Sequence, residues 1–157
     1  MIYSSRIMLL FVLFLSTLSF AQKEKFIKEQ VTKQLNHSRI ESGYSPFVND
    51  NNLSKASDSY LENIITNEHT TDLKDLSRKS GINVFKLNVY PIRYLNDEIW
   101  KEQLQYILSE EKINNSSMTS PGDFYRNITV QKNRFNEYLV IVSYGTYLDV
   151  FCWAEFR

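Results

Sequence analysis

Cysteine is nearly missing from this chain. Cys152 is the single one in 157 residues, so no internal disulfide can staple the fold. Glycine and proline are scarce, at four and three residues, and there are two histidines. No Gly-rich phosphate loop, Gly-x-Ser-x-Gly elbow or His-Glu-x-x-His pair occurs, which removes the usual signatures of nucleotide binding, serine hydrolysis and zinc proteolysis. A surplus of one charge is lacking too: 18 basic and 18 acidic residues cancel. Without a basic excess, nucleic acid is excluded as an expected partner. No block of like charge marks a tail or a membrane-surface patch.

Long apolar runs are absent with one exception, residues 7–15. That run is about half of the roughly 20 residues that span a bilayer. It follows Arg6 and precedes the small-residue pattern Ser19-Phe20-Ala21. Residues 1–21 therefore read as a signal peptide cut after Ala21, with no stable transmembrane anchor after cleavage and a secreted or periplasmic destination. Residues 22–157 then form one domain, with no repeat, linker or low-complexity segment.

The few glycines and prolines fall where periodic segments break. A helix is expected over about 23–42, with Ile27, Val31 and Leu35 at four-residue spacing, stopped by Gly43. Pro46 orders an extended connection, and Asp50 or Asn51 caps a second helix whose face carries Leu53, Ala56, Tyr60, Leu61, Ile64 and Ile65. A short helix over 72–79 ends at Gly81, and a strand over 83–90 ends at Pro91. A further helix starts at an Asp97 cap, with Trp100, Leu104, Ile107 and Leu108 on one stripe. Residues 116–122 read as a polar loop and 128–131 as a short strand. A closing hairpin is expected from 137–144 and 147–156, turning at Gly145-Thr146. Helices first and an antiparallel hairpin last give an α+β class.

Between residues 35 and 56 the chain reads Leu35-Asn36-x-x-Arg39-x-x-x-Gly43-x-x-Pro46-Phe47-x-x-Asp50-x-x-Leu53-x-x-Ala56. With the terminal hairpin and Ser120-Pro121-Gly122-Asp123-Phe124-x-Arg126-Asn127-Ile128, this resembles a bacterial form of the CAP superfamily, the SCP-like domain of cysteine-rich secretory proteins, venom antigens and plant pathogenesis-related proteins. The Asn-, Lys- and Ile-rich composition also looks like that of an exported protein from a low-GC bacterium. The resemblance implies a three-layer α–β–α sandwich with a small antiparallel sheet. It further implies that Asn36, Arg39, Gly43, Pro46 and Asp50 form a structural motif, with Asn36 and Arg39 tying the first helix to the rest.

The family places two His and two acidic residues in a central cleft, and most are replaced here. His69 matches the first His, although the stretch from His69 to Gly81 is shorter than the family's. Asp123 stands where the second His would be. Leu87-Asn88 replaces a Glu-Asn pair, keeping only the amide of Asn88. Glu102 or Gln103 would be the remaining acid position. A zinc site wants three or four converging ligands, and loss of imidazole and carboxylate lowers affinity and selectivity together. No metal or cofactor is expected. His69 then caps the second helix or faces solvent, Asp123 steadies the Pro-Gly turn, and Cys152 is an inert packed thiol.

The resulting expectation is a non-catalytic binding domain with a degenerate cleft, taking a protein, a lipid-like molecule or a cell-wall component. Two alternatives stand beside it. One is a metal- or carboxylate-dependent hydrolase using His69, Glu102 and Asp123. The other is a small secreted interaction protein acting through the aromatic hairpin that holds Tyr138, Tyr144, Tyr147, Phe151, Trp153 and Phe156.

Overall fold

A computed structural model describes residues 2–66, 72–94, 96–114 and 124–147, with the side chains of 2–20, 65, 66 and 114 outside that description. Among the described residues four helices and four strands follow in the order α1 Ile2–Glu41, β1 Val48–Asn49, α2 Asn51–Thr66, α3 Leu73–Ser80, β2 Asn83–Ile92, α4 Asp97–Asn114, β3 Tyr125–Lys132 and β4 Tyr138–Thr146. The class is mixed helix and sheet, compatible with α+β. Helix α1 runs unbroken from the N-terminal apolar run into the amphipathic segment. Among the described residues, no helix is long and apolar enough to cross a membrane.

The helix ends follow from side-chain chemistry. Asp50 Oδ1 accepts the backbone N–H groups of Asn52 (2.7 Å) and Leu53 (3.1 Å), two of the donors that the first turn of α2 leaves open. Asp72 does the same for Lys74 at α3, which Gly81 closes at φ 74°. Gly43 ends α1 at φ 84°. At α4 the cap is Asn96 rather than Asp97: its Oδ1 accepts from the Ile99 N–H at 2.9 Å. Asp97 is the first helical residue, where a carboxylate favours the positive end of the helix dipole.

The sheet runs in the order β1-β3-β4-β2, with β1 parallel to β3 and the other pairs antiparallel. Strand β4 is central and buried along most of its length. Pro91 does not end β2; it lies inside the strand opposite Leu139. It is tolerated there because β2 is an edge strand, where a missing N–H breaks no second ladder.

Two apolar clusters form. One gathers Ile27, Val31 and Leu35 of α1, Trp100, Leu104 and Ile107 of α4, and Tyr138, Val140, Val142 and Tyr144 of β4. The other gathers Leu53 and Ala56 of α2, Leu76 of α3, and Ile82 and Val84. Successive strand residues point to opposite faces. Tyr144 belongs to the first cluster, whereas a side chain at Gly145 would meet Leu53 and Ile82 of the second.

A reversal that the sequence reading lacks joins β3 to β4. Strands β3 and β4 turn at residues 133–137, where the Asn133 N–H donates to the Glu137 carbonyl at 2.8 Å and Asn136 takes φ 66°. Asn accepts that left-handed conformation at little cost. Gly145 is consequently a strand residue, paired with both Tyr125 and Val84. Residues 148–156 of the expected hairpin lie outside the described residues.

Gly145 gives a test of this register. A Cβ there would approach the Asn83 carbonyl oxygen to 2.9 Å and Leu53 Cδ2 to 3.0 Å. Overpacking of this kind costs about 1–3 kcal/mol. Urea unfolding of Gly145→Ala should show that loss, whereas a change within about 0.5 kcal/mol, as at an ordinary surface position, would return Gly145 to a turn.

Candidate functional site

Three charged side chains are fully buried among the described residues: Arg39 of α1, Glu111 of α4 and Arg126 of β3. Burying a charge is costly unless it is paired and hydrogen-bonded. How each is accommodated defines the site.

Glu111 is saturated. Its Oε1 accepts from Tyr90 Oη at 2.6 Å and Asn88 Nδ2 at 2.7 Å, and its Oε2 accepts from Tyr144 Oη at 2.7 Å. These bonds join α4 to β2 and β4. The geometry requires Asn88 and Tyr90 two apart on β2, hence on one face, and Tyr144 on the neighbouring strand. Burial and the adjacent Glu111 raise the Tyr90 phenol well above its usual value of 10.0, so it stays a donor.

Arg39 is accommodated by aromatics and a backbone carbonyl. Its Nε donates to the Ser45 carbonyl at 2.6 Å, and its Cζ lies 4.8 Å from the Phe47 ring centroid, 5.3 Å from Phe124 and 5.4 Å from Tyr44. Asn36 Oδ1 accepts the Phe47 N–H at 3.3 Å. Gly43 provides the reversal and Pro46 is exposed on the connection. These contacts hold Phe47 over the first cluster, its ring edge-on to Tyr144 at 5.3 Å.

Arg126 is different. It is 0% exposed, yet Nε, Nη1 and Nη2 make no hydrogen bond. Its Cζ lies 5.1 Å from the same Phe47 ring, and Tyr144 is its cross-strand partner on β4. Burial pushes the guanidinium down to about 10, with Tyr144 and Glu111 pulling the other way, so it remains charged at neutral pH.

A ring pair packs beside Tyr144. The register of β2 against β4 shifts between Val84 and Lys86, a bulge that leaves Phe85 unpaired. Phe85 stacks on Tyr144 (6.3 Å) and meets Phe124 edge-on (5.8 Å), while remaining 36% exposed.

Of the residues expected at a cleft, Asn88 is in this cluster. Glu102 is exposed on α4 and outside it, and Gln103 bonds the backbone of Arg93 instead. His69 and Asp123 lie outside the described residues. Among the described residues, no group of three or more His, Cys, Asp and Glu side chains could hold a metal ion. A groove of about 320 Å³ between α1 and α4 is lined by polar side chains, and its His37 already faces Glu41 at 3.2 Å.

Sequence reasoning missed Glu111 and Arg126, and for Glu111 there was a signal. It lies four residues after Ile107 and seven after Leu104, on the apolar stripe of α4, where a lone carboxylate demands partners. Arg126 carried a weaker one, a charge at an inward position of an alternating strand. Comparison of the chain with protein-family models, curated proteins and solved structures finds no match.

Two outcomes follow for the carboxylate. Tyr144→Phe removes one donor to a charged acceptor and should cost about 1.5–3 kcal/mol in urea unfolding, with non-additivity when combined with Tyr90→Phe. A phenol raised in the folded state contributes stability that is present below pH 10 and lost as pH rises beyond it. The depressed Arg126 acts with the opposite sign between about 10 and 12.5. The wild type minus Tyr90→Phe difference isolates the phenol: it should shrink as pH rises from 9 to 11, and a flat difference would contradict the assignment.

Proposed function

We propose that this protein is an exported, non-catalytic binding domain of CAP-like, three-layer α–β–α architecture, with residues 22–157 as the mature domain in a secreted or periplasmic setting. The helix, Gly stop, Pro connection and Asp-capped helix between residues 35 and 56 support the CAP-like reading. So do the two apolar clusters on either face of the sheet and the adjacent antiparallel β3 and β4.

One observation carries the binding role: Arg126 is wholly buried with three nitrogens that make no hydrogen bond, its guanidinium against the Phe47 ring. A buried guanidinium whose N–H groups find no acceptor is costly even with an acid nearby, and such a group is kept where something completes it. Glu111, the acid beside it, is not arranged as a general base, since three donors already occupy its oxygens. The cluster is built to hold a ligand in place.

Calorimetric titration with Zn²⁺ separates this reading from a hydrolase using His69, Glu102 and Asp123. The binding domain should give no stoichiometric heat. A one-to-one site abolished in His69→Ala would overturn the non-catalytic reading.

A further inference from the structure

We infer that the outer edge of β3 binds an extended peptide as an added strand, with an acidic side chain toward α1 and a basic one toward α2. This surface lies apart from the Arg126 guanidinium and does not depend on it. Topology is the first argument. Strand β1 pairs only with Tyr125 and Arg126, so from Asn127 onward no strand lies outside β3 among the described residues. The bonds already made give the phase of this edge. Phe124 and Arg126 turn their carbonyls outward, accepting from Val48 and Asp50, and the Lys132 N–H donates outward to Glu24 Oε1 at 3.2 Å. Strand backbone groups alternate sides, so Ile128 and Val130 also face outward, whereas Asn127, Thr129 and Gln131 bond to β4. Sheet edges are ordinarily blunted. The opposite edge, β2, carries a bulge at Phe85 and a proline at 91, whereas β3 keeps an unbroken register without proline.

Space beside the edge is the second argument. A groove of about 310 Å³ opens at Thr129 and Val130, walled by Lys25 and Lys28 of α1 and by Ser54 and Asp58 of α2. Ile128 is buried, so Val130 is the outward-facing residue that the groove reaches. Charge identifies the occupant. Lys25 meets Glu29 at 3.9 Å, but Lys28 and Asp58 make no ion pair among the described residues. Helices α1 and α2 pack on opposite faces of the sheet, and Val130 lies on the α1 face. A strand residue shares its face with the residue opposite, and its neighbour takes the other face. An acidic residue opposite Val130 therefore meets Lys28, and a basic residue next to it meets Asp58. A second copy paired edge to edge about a two-fold axis would set lysine wall against lysine wall. A separate peptide is the better complement.

The test is NMR titration of the full chain with two capped peptides of one composition, acetyl-Val-Thr-Glu-Lys-Val-Thr-amide and acetyl-Val-Glu-Thr-Lys-Val-Thr-amide. The first sets its two charges on opposite faces of a strand, the second on one face. The first should bind saturably and about two- to fivefold tighter, the worth of an exposed ion pair. At ten times its Kd, exchange of the Val130 amide should slow about tenfold while Thr129 and Gln131 keep their rates. Asp58→Lys, a change at an exposed helical position, should weaken the first peptide by about the same two- to fivefold. Saturable binding without protection of Val130 would overturn strand addition, and equal affinity for the two peptides would overturn the charge assignment. Protection that grows with protein concentration alone would place a second copy on the edge and overturn the peptide. So would the lack of a saturable response to either peptide.

Discussion

The bonds that end on the Glu111 carboxylate hold the sheet-facing side of this protein together. Tyr90 and Asn88 reach it from the edge strand β2, Tyr144 from the central strand β4, and Glu111 itself hangs from the last turns of α4. Without these donors a buried carboxylate on an apolar stripe would drive α4 off the sheet. With them, a polar centre fixes which faces of three elements meet, a specificity that apolar packing alone supplies less sharply.

The block between residues 35 and 56 reaches the same centre through Phe47. Asn36 and Arg39 fasten the Gly43–Pro46 connection, and that connection delivers Phe47 against Tyr144 and both guanidiniums. A ring face attracts a cation but supplies no acceptor for its N–H groups. Arg39 finds its acceptor in a nearby carbonyl, whereas Arg126 does not. The difference between these two arginines turns a structural cluster into a candidate site.

Much of this fold is legible from local chemistry. Four-residue spacing in α1 and α2, the Asp50 cap and the Asp72–Gly81 bracket around α3 are short-range effects, and the sequence carries them openly. The hairpin is harder because residues 138–142 form a continuous apolar run, so period alone does not say where the chain reverses. Gly145 lies inside β4, where it passes close to Asn83 and Leu53, and among the described residues Asn133 and Asn136 make the turn between the last two strands. Pro91 was misleading for a related reason: its effect depends on β2 lying at the edge, which is a fact of topology. The site was the least legible part. Asn88 has meaning only once Glu111 stands across from it, 23 residues away in the chain, and Arg126 is conspicuous only when its surroundings are known to be dry.

A crystal structure at a resolution that shows ordered waters and small ions tests the central claim most directly. The account predicts Glu111 bonded to Asn88, Tyr90 and Tyr144, and non-protein density within hydrogen-bond distance of Arg126. A direct two-point ion pair between Arg126 and Glu111, with the tyrosine hydroxyls turned elsewhere, would contradict it.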